Sequence, residues 1–206
     1  MSHSAALSYL LESFDITKLQ PLVVDIGAAD GRYTSNSYPL IMDHGWHGVL
    51  IEPQIQQLDR ARAYHADHLD RVTFFPSAVC EQDSIATLFL HPNDGDGMTT
   101  CNHGSSLLPI PGSRVQTTIS TMSYDSLVDV VDFDTVGLLS IDAEGYDMEI
   151  LRGIFEATKS RPQVIISETD YFLRSPQRDE RIAFLTDYEC IYNNEDQIFV
   201  HKTLQQ

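Results

Sequence analysis

A doubly wound α/β domain with a mostly parallel sheet is the fold this sequence predicts, on three observations. Short apolar runs, "LVVDI", "GVLIEP", "VGLLSID" and "QVIISE", alternate with segments of helical spacing, as strands covered on both faces by helices do. Two of these runs end in a carboxylate followed by a glycine-containing turn, at Asp25 and at Asp142. The chain closes on "ECIYNNEDQIFVHK", two strand-like runs around four polar residues, which reads as a C-terminal antiparallel hairpin on the edge of the sheet.

Each element follows in order. Residues 5–13 read as a short amphipathic helix, and "LVVDI" as the first buried strand. Residues 36–44 read as a helix, with Pro39 acceptable only near its start because proline has no N–H to donate. "GVLIEP" is a second strand, stopped by Pro53. Ile55, Leu58 and Tyr64 fall at roughly helical spacing in "IQQLDRARAYHADHL". "RVTFFPSAV" reads as one third strand, with "SIATLFLH" expected to pair beside it. Residues 91–114 form one long irregular stretch, and loops of that length in compact domains are usually functional or disordered. "VQTTISTM" returns as a strand, "YDSLVDVV" as a helix and "VGLLSID" as a buried strand. The helix "YDMEILRGIF", the strand "QVIISE" and the helix "DERIAFLTD" lead into the closing hairpin.

The bulk properties limit the function classes. At 206 residues the chain has length for a single domain over 1–206 with a sizeable core. No apolar stretch approaches membrane-spanning length, and the first residues lack a basic start and a cleavage pattern, so no membrane association is expected. Cys80, Cys101 and Cys190 are far apart and odd in number, which argues against a disulfide framework or a zinc site and for a reducing, cytoplasmic setting. A net charge of −17 repels a phosphate backbone, and Arg and Lys are scattered, so no nucleic-acid partner is expected.

The turn "DIGAADGRYT" raises the question of which ligand it faces. In doubly wound sheets ligands bind outside the carboxyl ends of the strands, where the strand order reverses. A dinucleotide fingerprint needs a glycine midway through that turn so that pyrophosphate can approach the backbone. Here Ala29 and Asp30 occupy the middle, Asp25 adds a second acid, and no P-loop lysine follows Gly31. Two carboxylates suit a ligand carrying an ammonium and a sulfonium, as S-adenosylmethionine does, better than a phosphate. The second strand ends in Glu52, where a carboxylate can accept hydrogen bonds from both ribose hydroxyls. The third ends in Ser77, Ala78 and Val79, whose backbone can meet the adenine edge. The candidate cofactor contacts are therefore Asp25, Gly27, Ala28, Ala29, Asp30, Gly31, Thr34, Glu52, Ser77, Ala78 and Asp142.

Asp142 ends a central strand facing the same crevice, and Glu144 follows it. Asp147 and Glu149 fall in the first turns of the next helix, where acids complement the macrodipole. The segments "VVDIGAADGRYT", "GVLIEPQ", "PSAVCEQD", "NHGSSLL", "LLSIDAEGYDMEILRGI" and "PQVIISETD", in this order, resemble the FkbM family of S-adenosylmethionine-dependent methyltransferases. The resemblance runs from Val23 to Asp170, and "IDAEGYDMEILRG" is its most specific part. It implies a Rossmann-like class I methyltransferase fold and transfer of a methyl group to a hydroxyl of a sugar, glycan or small hydroxylated metabolite. It also implies cofactor contacts at Asp25, Gly27, Gly31 and Glu52, with Asp142 near the methyl group. Members often carry Asn in the glycine turn and Lys before the Ile-Asp pair. This chain has Ala29 and Asp30 in the first place and Ser140 in the second.

Methylating an alcohol needs a base, and the candidates are Asp142, Glu144 and His103. Ser105, Ser106 and Tyr146 are candidates to touch the acceptor. His44 with His47 and His65 with His68 have no acid or cysteine to complete a metal set. No catalytic metal is expected, although Asp142 and Glu144 together can hold a magnesium ion. Two rival readings are an NAD(P)-dependent oxidoreductase, disfavoured by Ala29 and Asp30, and a non-catalytic module that binds an adenosyl ligand.

Overall fold

The computed structural model describes residues 4–33, 35–90, 104–110, 112–113, 115–168 and 177–205. Helix α1 (Ala5–Ser13) starts where the Ser4 hydroxyl accepts the Leu7 N–H at 2.9 Å, and it buries Ala6, Leu7 and Leu10. Then come β1 (Leu22–Ile26), α2 (Tyr38–Met42), β2 (His47–Ile51), α3 (Ile55–Tyr64) and β3 (Val72–Phe75). Pro39 falls in the first turn of α2, where its missing N–H costs nothing. Next are β4 (Ala78–Cys80), β5 (Ser84–Phe89), β6 (Gln116–Ser123), α4 (Tyr124–Val130), β7 (Leu138–Ile141) and α5 (Asp147–Ala157). The last elements are β8 (Val164–Glu168), α6 (Gln177–Phe184), β9 (Tyr188–Asn193) and β10 (Asp196–His201).

Seven of the described strands form the main sheet in the order β3-β2-β1-β7-β8-β10-β9. Pairs β1–β2, β2–β3, β1–β7 and β7–β8 are parallel, and β10 runs antiparallel to both β8 and β9. Alternate residues of each strand feed two cores. Val23, Leu138 and Ile166 face α1 and α2, while Val24, Leu139 and Ile165 face α4 and α5. Each such aliphatic side chain, fully buried, contributes roughly 1.5–3 kcal/mol, which is what holds the strand ends in register. The chain winds outward from β1 through β2 to β3, then returns to β7 on the other side of β1. The strand order therefore reverses between β1 and β7, and their carboxyl ends flank a crevice.

Three expectations are corrected. "RVTFFPSAV" is not one strand: Pro76 interrupts it, leaving β3 in the main sheet and turning β4 into a second sheet of order β4-β6-β5. "SIATLFLH" accordingly does not pair beside β3. It runs antiparallel to β6, with Ser84 opposite Thr121 and Phe89 opposite Gln116. The closing hairpin has a two-residue turn, Asn194 and Glu195, rather than four. Its second strand, β10, lies inside the sheet between β8 and β9, which suits its buried Ile198, Phe199 and Val200, and its first strand forms the edge.

Candidate functional site

The turn after β1 is built by backbone bonds that β2 supplies. The Gly27 and Ala28 N–H groups both donate to the Ile51 carbonyl, at 2.9 and 3.1 Å, and the Gly31 N–H donates to the Ala28 carbonyl at 2.8 Å. Ala29, at φ 46°, lies in the left-handed region that favours glycine. Glu144, in the turn after β7, does the same at φ 50°. Both of these strained positions line one crevice, of about 660 Å³ when the open space at its mouth is included. The crevice gathers Gly27, Ala29, Glu52, Ser77, Ala78, Ser105, Asp142, Glu144 and Tyr146 from the sequence-derived candidates.

Glu52 is the anchor of the β2 end. Only 5% exposed, its two carboxylate oxygens accept the Ala29 N–H at 3.0 Å and the Gln54 N–H at 2.8 Å. Burial pushes its pKa up to about 7, against the two N–H donors that favour the ionised form and with Asp25 adding repulsion. Glu52→Ala is expected to weaken binding of an adenosyl ligand by on the order of 1–3 kcal/mol, through lost hydrogen bonds, while the domain stays folded. Because the folded pKa lies above the unfolded one, Glu52 supports the fold below about pH 4.5, and that support fades as pH rises through about 7. The stability difference between wild type and Glu52→Ala, measured by urea unfolding, should therefore shrink between pH 5 and pH 8.

Asp142 forms the floor where β7 ends, its backbone N–H held by the Ile26 carbonyl at 2.9 Å. Solvent reaches its side chain from the mouth, but protein encloses it otherwise. Loss of water on its protein-facing sides, followed by repulsion from Glu168, Glu144 and Asp147, raises its pKa well above the ordinary aspartate value. Asp142, Glu144 and Glu168 bring carboxylate oxygens within 4.8 Å of one another, a separation at which they can share a proton or a cation. Glu168 was missed in the sequence, although "VIISE" is a mostly apolar run ending in an acid, just as "LLSID" is.

Other candidates have different places. Asp25 does not line the crevice. It is buried beneath the turn, accepts the Ser37 hydroxyl at 2.5 Å and is bonded by Ser140, and burial raises its pKa. Asp30 is also buried, and its carboxylate accepts the Arg32 and Tyr33 N–H groups at 3.0 Å, which shapes the turn. Gly31 packs against α3, and its carbonyl is held by the buried His65 ring at 3.2 Å. Ala28 and Ser106 are outside the lining as well. Thr34 and His103 lie outside the described residues. Asp147 and Glu149 part company: Glu149 is exposed as expected, but Asp147 is 2% exposed and accepts from the Ala143 N–H and the Ser167 hydroxyl. Burial, with Glu168 nearby, pushes its pKa up to about 7 against the pull of the Arg181 cation. The Tyr146 hydroxyl donates to Glu81, which fixes its ring at the crevice wall.

A reversal of strand order, a strained turn with glycines on β1, an acid at the end of β2 and another at the end of β7 define the class I methyltransferase type of Rossmann-like fold. The profile of the methyltransferase FkbM domain matches residues 25–192, and the chain belongs to that family. A search of curated proteins finds no match. Among solved structures the chain is similar to a methyltransferase FkbM from Methylobacillus flagellatus KT, at 16% identity and a TM-score of 0.51, over 87% of this chain and 43% of that one. It is similar to monomeric WbdD at 13% identity and a TM-score of 0.55, over 98% and 41% of the two chains. A methyltransferase from Geobacter sulfurreducens shares 13% identity and a TM-score of 0.50, over 95% and 76%. The chain thus spans less than half the length of the first two. Among the described residues no helix is long and apolar enough to cross a membrane.

Proposed function

We propose that this protein is an S-adenosylmethionine-dependent O-methyltransferase that acts on a hydroxyl of a sugar, glycan or small hydroxylated metabolite. The observation that carries this reading is the acid-floored crevice at the β1–β7 switch point, with Glu52 on one side and Asp142 on the other. The residues present fit such a cofactor. Glu52 keeps free lone pairs for ribose hydroxyls, the Ser77–Ala78 backbone can meet the adenine, and the Gly27–Ala29 turn with Asp142 offers a polar, negative bed to an ammonium and a sulfonium. When bound, the cofactor supplies a methyl group already activated for transfer.

What the chain adds is position and a proton acceptor. Holding an acceptor hydroxyl in line and close removes much of the entropic barrier, on the order of several kcal/mol. In this reading Asp142, with Glu144 beside it, takes the hydroxyl proton. Its raised pKa makes it a stronger base once ionised. The odd number and wide spacing of Cys80, Cys101 and Cys190 support a cytoplasmic setting. The acidic chain favours a small or glycan acceptor over nucleic acid.

Calorimetric titration with S-adenosylmethionine, S-adenosylhomocysteine and NAD tests the cofactor. Binding of both adenosyl compounds and not of NAD is expected, and tight NAD binding alone would point to an oxidoreductase instead. Transfer of labelled methyl to a panel of methyl glycosides tests the acceptor. Cofactor binding without any transfer would favour a non-catalytic module.

A further inference from the structure

Gly104, Ser105 and Leu107 line the crevice together with the strand ends, and one serine pair there divides its labour. Ser106 is tied down on three sides. Its backbone exchanges two hydrogen bonds with Phe89 on β5, at 2.9 and 3.0 Å. Its hydroxyl donates to the Glu144 carbonyl at 2.9 Å and accepts the Leu108 N–H at 3.1 Å. It is 4% exposed and does not line the crevice. Ser106 therefore staples the small sheet to the β7–α5 turn. Ser105, next to it, does line the crevice, and its Oγ is closed off from solvent with no hydrogen-bond partner among the described residues. A shielded hydroxyl left without a partner is uncommon in native proteins and calls for a reason, such as a ligand that supplies the missing bond.

We propose that Ser105 is the residue that hydrogen-bonds and orients the acceptor hydroxyl, and that Ser106 is the positioning residue that holds it over Glu144 and Asp142. The assignment rests on the methyltransferase reading above. In that reading Glu52, the Ser77–Ala78 backbone, the Gly27–Ala29 turn and Asp142 serve the polar groups of the cofactor, and all of them stand at strand ends or in the turns after them. Ser105 belongs to a separate segment of the lining, and the Ser106 staple to the Glu144 carbonyl fixes that segment next to Glu144. A hydroxyl that both donates and accepts suits an alcohol, which does the same.

Two variants test this. With no ligand present, Ser105→Ala should melt at or above the wild-type temperature, since it removes an unmatched hydroxyl, whereas Ser106→Ala should melt several degrees lower. In calorimetry, Ser105→Ala should bind S-adenosylhomocysteine within about two-fold of wild type, and its KM for an acceptor glycoside from that panel should rise about ten-fold with kcat little changed. Destabilisation of Ser105→Ala to the extent seen for Ser106→Ala would mean that its hydroxyl has a protein partner, and would overturn the assignment. So would weakened S-adenosylhomocysteine binding or an unchanged KM. If wild type methylates no glycoside in the panel, the proposed reaction fails on its own account. The melting and S-adenosylhomocysteine measurements still decide on Ser105, and direct titration of the same glycosides into both proteins replaces KM. Equal affinity, or no binding to either, would overturn the assignment.

Discussion

Gly27→Ala is expected to destabilise the domain by on the order of 3 kcal/mol and to abolish cofactor binding with it. A Cβ at this position would lie 1.8 Å from the Asp142 carbonyl oxygen and 2.8 Å from its carbon, both of them backbone. Neither can give way without pulling β7 from β1, because the Asp142 N–H is itself bonded to the Ile26 carbonyl. At φ +82° the alanine would also bear the left-handed penalty. Gly45→Ala separates the two causes. Gly45 has a similar φ of +73°, but a Cβ there would meet only the Arg71 Nη1 at 3.4 Å, the end of a flexible side chain. That variant should lose about 1 kcal/mol, the conformational cost alone. Urea unfolding of both variants, followed by titration with S-adenosylhomocysteine, checks the expectation. Equal losses for the two would show that the close approach of the β1 and β7 turns is not what makes glycine necessary at 27.

Asp142→Asn should lower kcat by about two to four decades, the usual worth of a positioned base, with little change in fold. As an acid whose folded pKa is raised, Asp142 carries its proton into the pH range where an ordinary aspartate has lost it. Only the ionised form accepts a proton, so the wild-type rate should climb with pH through that raised pKa, and the variant should lose this limb. Stability should move the other way. The raised pKa means that the wild type loses stability as pH rises through it, since ionisation then adds charge beside Glu168, Glu144 and Asp147. Asparagine removes that charge, so the variant should gain on wild type in urea unfolding at pH 8 compared with pH 4. A variant that kept full activity would move the base to Glu144 or to another group.

Both effects arise from one design. Glycine lets two strand ends approach, and the acids they bring together repel one another until something positive or protonated sits among them. The cost of assembling Glu52, Asp142, Asp147 and Glu168 is borne by the folded core, a trade of stability for chemistry common at functional sites.

Much of this was legible residue by residue. Continuous apolar runs identified the strands of the main sheet, because a strand buried on both faces is mostly apolar, and "LVVDI", "VGLLSID" and "QVIISE" are. Glycines in a turn after an acid marked the crevice, because few other residues take the backbone angles needed there. Roles within the turn were harder to read. Asp25, Asp30 and Asp142 look alike in the sequence, yet two of them face inward to hold the turn and one faces the crevice. A one-residue difference in strand or turn position reverses the direction of a side chain, and no local pattern records it.

The identity of the elements, their alternation and the positions of the acids were thus set along the chain, since each depends on neighbours within a few residues. Whether β4 stayed in the main sheet after Pro76, which hairpin strand paired with β8, that Glu168 joined Asp142, and that Ser106 rather than Ser105 was tied to Glu144 required the assembled domain. Those outcomes depend on contacts between residues dozens of positions apart, whose energies exist only after the sheet and its two cores have closed.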